Sequence, residues 1–420
     1  MQCHTWRLLL SSLLLAAGCV AQDATPTRAL TWQDTQAEFK LRNPTLLAGQ
    51  ASIDESRADE ITAHLRPNPN LTFTADSLAI LTYNPFRPFA NLIPSGSVEY
   101  LHEREHKREL RFASAQQATG IAMSTQADLE RNLMYNLRDA FVRVLLAKAV
   151  LEVARENLDY YDKEIAINRE RYQAGGIARV DFQRVELQRV QFQSDVVTAE
   201  VNVRTAKIDL LALLRDRTPV EQFDVTEPFD FSDTPSNLED LHQLAINTRP
   251  DLKQAEESLD KARTDHRLAI ANGSSDPTFG FDVARQVPVE AYVGFSISFP
   301  LRIFDKNQGE KLRTQIDIGR TEKLRDAAET GVLHDVDSAY TTLQSTLQLL
   351  RPYRAKYLGE AKDIRETISF SYLHGAASLL EFLNAQKQYR DTELNYLNLV
   401  GAYLSAANQV NFAVGREVIR

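Results

Sequence analysis

The chain has 420 residues, 57 Asp+Glu against 48 Lys+Arg, a formal net charge of -9, and 43% hydrophobic and 25% charged residues. A net-acidic chain without an evident basic patch disfavours nucleic acid as a partner. Mean hydropathy is -0.33, and the only continuous apolar run, Leu8–Val20, is shorter than the ~20 residues a spanning helix needs.

That first run follows Arg7 and ends in Ala16-Ala17-Gly18-Cys19, the layout of a secretory signal peptide over residues 1–18. The two cysteines are Cys3 in this segment and Cys19 directly after it, so residues 20–420 hold no thiol and no disulfide. Cleavage before Cys19 would leave it as the first residue and a lipid anchor. The small residues before it resemble a bacterial lipobox, with Ala16 standing where Leu is usual. The alternative is cleavage after Ala21, with Cys19-Val20-Ala21 as a small-x-small site.

The rest of the chain is a tandem duplication. Asn43-Pro44-Thr45-Leu46 recurs as Arg249-Pro250-Asp251-Leu252 at an offset of 206, and Asp34, Ser52, Asp54 and Arg57 meet Asp240, Ser258, Asp260 and Arg263 at the same offset. Tyr172-x-x-Gly175 with Asp181-Phe182 matches Tyr372-x-x-Gly375 with Glu381-Phe382 at an offset of 200. The expected first unit, 19–236, runs through a helix (about 31–65), a β-hairpin 69–103, a long helical hairpin 104–215 and an acidic connector 216–236 with a short strand near Phe229–Phe231. The second, 237–420, runs through a helix (about 237–271), a β-hairpin 276–300 and a long helical hairpin 304–415.

The strands are read from alternation. Phe279, Phe281 and Val283 alternate with Thr278, Gly280 and Asp282, and Val293, Phe295, Ile297 and Phe299 alternate with Gly294, Ser296 and Ser298. Leu71, Phe73 and Ala75 give a first-unit strand with a weaker partner at Gly96–Leu101. Such alternation suits a sandwich with one wet face or a membrane barrel equally. Four strands have open edges, which favours closure by several subunits.

Long helices follow from proline usage, since an interior proline costs a helix about 3 kcal/mol. Residues 95–218 contain no proline and residues 301–420 only Pro352, which should mark a break or bend. Phe192, Val196, Ala199, Val203, Ala206, Leu210 and Leu213 follow alternating steps of 4 and 3, a coiled-coil seam, and Leu129, Leu133, Leu137, Phe141 and Val144 form a similar one. Gly175-Gly176 and Gly375 interrupt the helices and read as hairpin turns. A helix over 104–172 would be about 100 Å long, suited to a rod or a conduit.

One local match points to chemistry. His102-Glu103-Arg104-Glu105-His106 satisfies HExxH, and on a helix His102 and His106 could share a zinc, with Glu103 polarising its water and Glu130 as a third ligand. The segment stands at a strand-to-helix junction, however, and its repeat counterpart near Ile303–Gly309 has no histidine. The plainer reading is a solvated end of an element. No GxSxG, P-loop or GxGxxG is present.

Signal segment, tandem units and paired glycine turns together resemble the TolC-like outer-membrane efflux proteins over essentially the whole mature chain. Phe299-Pro300-Leu301 followed by Ile303-Phe304-Asp305-Lys306-Asn307-Gln308-Gly309 looks like the strand-to-helix junction of the branch serving heavy-metal efflux pumps of the resistance-nodulation-division type. Glu103–Arg111 is similar to that branch's basic segment but lacks its Gly-Gly.

The resemblance implies a mainly α fold with a small β part. Three chains would close a 12-stranded transmembrane β-barrel from four strands each, continued by a coiled-coil α-helical barrel through the periplasm. It implies a passive exit duct of a tripartite pump, without catalytic residue or cofactor, whose partners are a periplasmic adaptor, an inner-membrane pump and outer-membrane lipid. By the same resemblance Gly175, Gly176 and Gly375 lie at the tip where adaptors dock, and Asp181, Glu381 and Asn384 stand at the pore constriction. Asn384 departs from the family's acidic pattern. The branch resemblance implies heavy-metal cations as cargo, with organic solutes as the alternative, and a periplasmic coiled-coil scaffold or adaptor without a pore is the rival from another class.

Overall fold

The computed structural model describes residues 28–78, 85–89, 92–232, 237–286 and 289–419. The signal segment 1–18 and Cys19 lie outside the described residues. The first unit begins with β1 (Arg28–Leu30), α1 (Trp32–Arg42) and α2 (Pro44–His64), followed by β2 (Asn70–Asp76) and β3 (Ile93–Leu101). Two long helices come next, α3 (Lys107–Gln173) and α4 (Arg179–Leu214), then a short β4 (Phe223–Val225). The second unit repeats the order with α5 (Leu238–Thr248), α6 (Pro250–Ala271), β5 (Thr278–Gln286), β6 (Val289–Ser298) and α7 (Gln308–Pro352). It ends with α8 (Leu358–Leu373) and α9 (Leu379–Val414). No described helix is long and apolar enough to cross a membrane.

The single helices expected over 31–65 and 237–271 are each two helices. Proline lacks an N–H and pushes the residue before it out of the helical region, and Asn43 (φ -72°, ψ 115°) and Arg249 (φ -71°, ψ 122°) adopt the resulting extended conformation. Asn43 then caps the next helix, its Oδ1 accepting from the N–H groups of Thr45 at 2.9 Å and Leu46 at 3.2 Å. Arg249 offers no cap. Its buried guanidinium instead binds Asp251, Asp335 at 2.8 Å and the Ala413 carbonyl at 3.2 Å, tying α6 to α7 and α9.

Pro352 stands where the descending wall of the second unit is interrupted. Without an N–H it cannot bond the Gln348 carbonyl, and residues Tyr353–Tyr357 widen into a π-turn between α7 and α8. The first unit, proline-free here, runs unbroken through α3 for about 100 Å.

The strand expected near Phe229–Phe231 is not formed. The strand of the connector is β4, which pairs in parallel with β1 in the register Arg28↔Phe223 to Leu30↔Val225. Phe223 and Val225 are fully buried beneath α3 and α4, whereas Phe231 stacks edge-on against Tyr403 of α9. Both segments alternate apolar and acidic residues, so alternation alone could not separate them.

Three apolar clusters hold the helices. One joins β1, α1, α2, α3, α4 and β4 through Leu30, Phe39, Leu137, Phe141, Val144 and Leu210. A second joins α5, α6, α7 and α9 through Leu241, Leu252, Val336, Leu343, Leu350 and Val410. The smallest lies near the glycine turns. In α4 the seam holds at Phe192, Ala199 and Leu210 but ends on Leu214, while Leu213 faces outward. The 3.6-residue period has drifted past a strict heptad by that point.

Candidate functional site

β2, β3, β5 and β6 form one antiparallel sheet in that order, so the two hairpins meet through β3 and β5. Its register sorts the side chains. Leu71 lies opposite Val98, Val98 opposite Phe281 and Phe281 opposite Phe295, while Phe73, Gly96, Val283 and Val293 form the next row. Tyr100, Phe279 and Ile297 complete this face, which is apolar across all four strands. It is also bare: Phe295 is 83% exposed and Phe73 76%. In a sandwich a second sheet would cover this face, and among the described residues none does.

The opposite face is mostly polar or small, with Ile93, Leu101 and Tyr292 as its large apolar or aromatic members. Thr72 and Thr74 of β2, Ser95, Ser97 and Glu99 of β3, Gly280 and Asp282 of β5, and Gly294, Ser296 and Ser298 of β6 share it by the same register. Two glycines here leave room for a neighbouring side chain. A Cβ on Gly280 would stand 2.3 Å from the Ser296 hydroxyl, and one on Gly294 2.5 Å from an Asp282 carboxylate oxygen. The register places Asp76, Glu99 and Asp282 on this face. The one basic residue in the four strands, Arg285, lies at the bulge between Ala284 and Gln286. The outer strands β2 and β6 each present an unpaired edge.

At the far end of the long helices the two glycine turns follow one plan. Gly175 and Gly375 have φ of +77° and +76°, the left-handed conformation open to glycine, and end α3 and α8. Gly176 N–H reaches back to the Arg171 carbonyl at 2.7 Å, as Ala376 N–H reaches the Ser371 carbonyl at 2.8 Å. Each turn is closed by a ring pair: Tyr172 stacks on Phe182 at 5.3 Å, and Tyr372 on Phe382 at 4.8 Å. The repeated Tyr-x-x-Gly and acid-Phe motifs are thus two halves of one clamp, placing the last turn of one helix against the first turn of the next.

The acids named from sequence stand beside these clamps. Asp181 is the third residue of α4 and lies 3.9 Å from Arg184. Glu381 is the third residue of α9 and closes a capping box: its N–H donates to Ser378 Oγ at 3.2 Å, while Ser378 N–H donates to its carboxylate at 2.7 Å. Chiefly that backbone N–H, then the Ser378 hydroxyl, holds the Glu381 carboxyl below its ordinary value. Asn384 lies one turn further along α9 and is exposed. Ser378-x-x-Glu381 is an S-x-x-E capping signature legible in the sequence; Ala178 gives the first turn no such cap.

A buried polar layer between the two hairpins gave no sequence signal. The Arg365 guanidinium lies between the rings of Tyr160 and Tyr389, 4.1 and 3.7 Å from their centroids. Asn157 of α3 donates to Glu393 of α9 at 2.9 Å, and Tyr389 donates to the other oxygen of that carboxylate. Burial raises the carboxyls of Glu164 and Glu393. Lower down, Arg171 of the first hairpin stacks over Tyr372 of the second at 4.9 Å.

The HExxH match does not fold as its zinc reading requires. Residues 102–104 precede the helix, and His106 is a left-handed residue (φ 55°) at the N-cap of α3, so the two histidines are not one helical turn apart. Glu103 is held by Arg111 at 2.7 Å. No three His, Cys, Asp or Glu side chains among the described residues gather closely enough to hold a metal ion.

Known proteins share this architecture. The chain is 21% identical over 393 residues to the cobalt-zinc-cadmium resistance protein CzcC of Cupriavidus metallidurans, covering 89% of this chain and 87% of that one. It is 23% identical over 291 residues to the pyoverdine export outer membrane protein OpmQ of Pseudomonas aeruginosa, covering 67% and 60%. The solved structure of CusC superimposes with a TM-score of 0.77 at 17% identity, over 92% of each chain, and so shares the fold. Residues 241–416, somewhat less than half of the chain, match the outer membrane efflux protein family.

Proposed function

We propose that three copies of this chain close a 12-stranded barrel in the outer membrane and conduct cargo passively, as the exit duct of a tripartite pump. The observation that carries this reading is the two-faced sheet: a bare apolar face, a polar face, and an unpaired edge on each side. In hydrocarbon every strand edge must be paired, and a closed barrel of several such sheets pairs them all. A periplasmic scaffold without a pore leaves that apolar face unexplained. The helices α3, α4 and α7 to α9 continue the wall, and the exposed stripe Val180, Leu187, Val197, Val201 and Ile208 on α4 supplies a seam for a neighbouring copy.

The proposed cargo is heavy-metal cations. The relation to a cobalt-zinc-cadmium resistance protein supports this, as does a polar sheet face that carries acids and no base short of its bulge. The relation to a pyoverdine export protein favours organic solutes as the second reading. Partners in either case are an inner-membrane pump of the resistance-nodulation-division type and its adaptor, docking at Gly175, Gly176 and Gly375. A constriction formed by Asp181, Glu381 and Asn384 belongs to the same proposal. So do export by residues 1–18 and acylation at Cys19, for which the mature mass distinguishes an acylated Cys19 from a chain starting at Gln22.

The test is full-length protein in planar bilayers. The expected result is a discrete, cation-preferring conductance from a trimer. The preference should fall in Glu99→Gln with Asp282→Asn, and change separately in Glu381→Gln. A protein that yields no conductance and stays monomeric in detergent and in lipid overturns the duct. For cargo, a deletion strain should become sensitive to cobalt, zinc or cadmium; sensitivity to organic compounds alone selects the second reading.

A further inference from the structure

The apolar face of the sheet does not stop where the strands stop. Phe295 and Ile297 of β6 are followed at the same spacing by Phe299, Leu301 and Ile303, all exposed, and then by Phe304, which is 90% exposed. The chain then turns polar at once with Asp305-Lys306-Asn307-Gln308 and enters α7. This junction is built, not loose. Asn307 takes a left-handed conformation (φ 60°) and donates to the Ala269 carbonyl at 2.7 Å, and Ser275 donates to the Pro300 carbonyl at 2.5 Å. The first unit makes the same turn from β3 into α3, with left-handed His106 in the place of Asn307.

Charge changes sign at these two junctions. Segments 102–111 and 302–313 together carry eight Lys or Arg against five Asp or Glu, in a chain where acids outnumber bases 57 to 48. Several bases are engaged within the fold: Lys107 with Asp276 at 2.7 Å, Arg111 with Glu103 at 2.7 Å, and Arg313 with Glu310 at 2.6 Å. Arg302, Lys306 and Lys311 have no carboxylate within 4 Å among the described residues. A fixed apolar wedge beside cations that the fold leaves uncompensated has the chemistry of a lipid interface. Apolar rings enter the acyl boundary there, and long basic side chains extend to the headgroups.

We infer that the two strand-to-helix junctions form a collar that binds anionic phospholipid headgroups of the periplasmic leaflet, with Phe304 and Leu301 in the acyl boundary and Arg302, Lys306 and Lys311 on the phosphates. Charge complementarity and continuity with the apolar sheet face select this occupant. The inference rests on the barrel reading above.

The test uses the full-length protein in nanodiscs of phosphatidylethanolamine and phosphatidylglycerol at three to one, read by native mass spectrometry of retained lipid. Wild type should retain phosphatidylglycerol enriched on the order of fivefold or more over the bath, the scale of one basic side chain near an anionic surface. The variant Arg302→Gln/Lys306→Gln/Lys311→Gln should fall to the bath ratio while still inserting and conducting. In Phe304→Trp, brominated lipid should quench the new tryptophan, the only other one outside residues 1–18 being Trp32. A conducting wild type without enrichment, or a variant with undiminished enrichment, overturns the collar and leaves the duct standing. An unquenched Trp at 304 shows that a neighbouring copy covers the wedge and likewise overturns it. Wild type that neither inserts nor conducts removes the barrel reading and the collar with it.

Discussion

The two hairpin tips descend from one repeated plan yet sit in different surroundings. Both end in a left-handed glycine, and both close with a tyrosine stacked on a phenylalanine. At the first tip Tyr172 remains 37% exposed and the next helix starts on an uncapped Ala178. At the second Tyr372 is 5% exposed, and α9 starts in a full capping box. The second tip is also the one gripped by its neighbour, with Arg171 over Tyr372 and Tyr161 of α3 packed toward Phe382. The turn chemistry is local and repeats with the sequence. Burial is set by what stands alongside, so one motif gives an exposed tip in the first unit and an anchored tip in the second.

The largest separation between the tips should come from their phenylalanines. Phe382 is fully buried and touches both Tyr372 and Tyr161, so Phe382→Ala should cost about 3–5 kcal/mol. Phe182→Ala should fall at or below the low end of that range, because its ring partner is already half in water. Thermal unfolding of the two variants, with hydrogen exchange over 361–393 and 161–192, measures both. Equal losses would show that the clamp alone, without its surroundings, carries the stability.

Glycine substitutions are the control. A Cβ at Gly175 or Gly375 meets nothing within 4 Å, so Gly175→Ala and Gly375→Ala should each cost only the left-handed backbone term, about 1–2 kcal/mol, and cost it equally. The caps should differ next. Ser378→Ala should lose about 1 kcal/mol, and Ala178→Ser should recover up to a similar amount at the first tip. Local exchange in the first turns of α9 and α4 reports each change.

The duplication, the sheet alternation and the glycine turns were legible because each is a short-range signal: a repeated motif, a period of two, a residue that tolerates positive φ. Asn43-Pro44 and Arg249-Pro250 carry two signals at once: they repeat between the units, and each proline breaks the helix at the residue before it. What no window could show was the pairing of distant segments. β1 and β4 are separated by the whole first hairpin, and Tyr160, Arg365 and Tyr389 meet only because α3, α8 and α9 converge. The capping box at Ser378 lies between these cases. Its signature is local, but the carboxylate of Glu381 is read equally well as a free acid until the Ser378 N–H is seen to donate to it.

The smallest predicted difference is one of sign. At the second tip the Glu381 carboxyl is held below its ordinary value of 4.5, so its contribution is present above that pH and is lost as pH falls through the lowered value. In the layer above, burial raises Glu164 and Glu393, so their contribution is complete below 4.5 and is lost as pH rises through the raised values. Arg365 opposes that rise for both, and Tyr160 does so for Glu164; Tyr389 and Asn157 oppose it for Glu393, while Glu156 adds to it. Acidification from neutral pH should therefore first tighten the contact between hairpins and only later, below 4.5, loosen the start of α9. Hydrogen exchange, corrected for its intrinsic pH dependence, should slow over 384–393 before it quickens over 378–383. Glu164→Gln should flatten much of the first response, and Ser378→Ala should weaken the second. If both stretches respond together, the tip and the layer unfold as one unit, and the burial that separates the second tip from the first is a property of the whole hairpin.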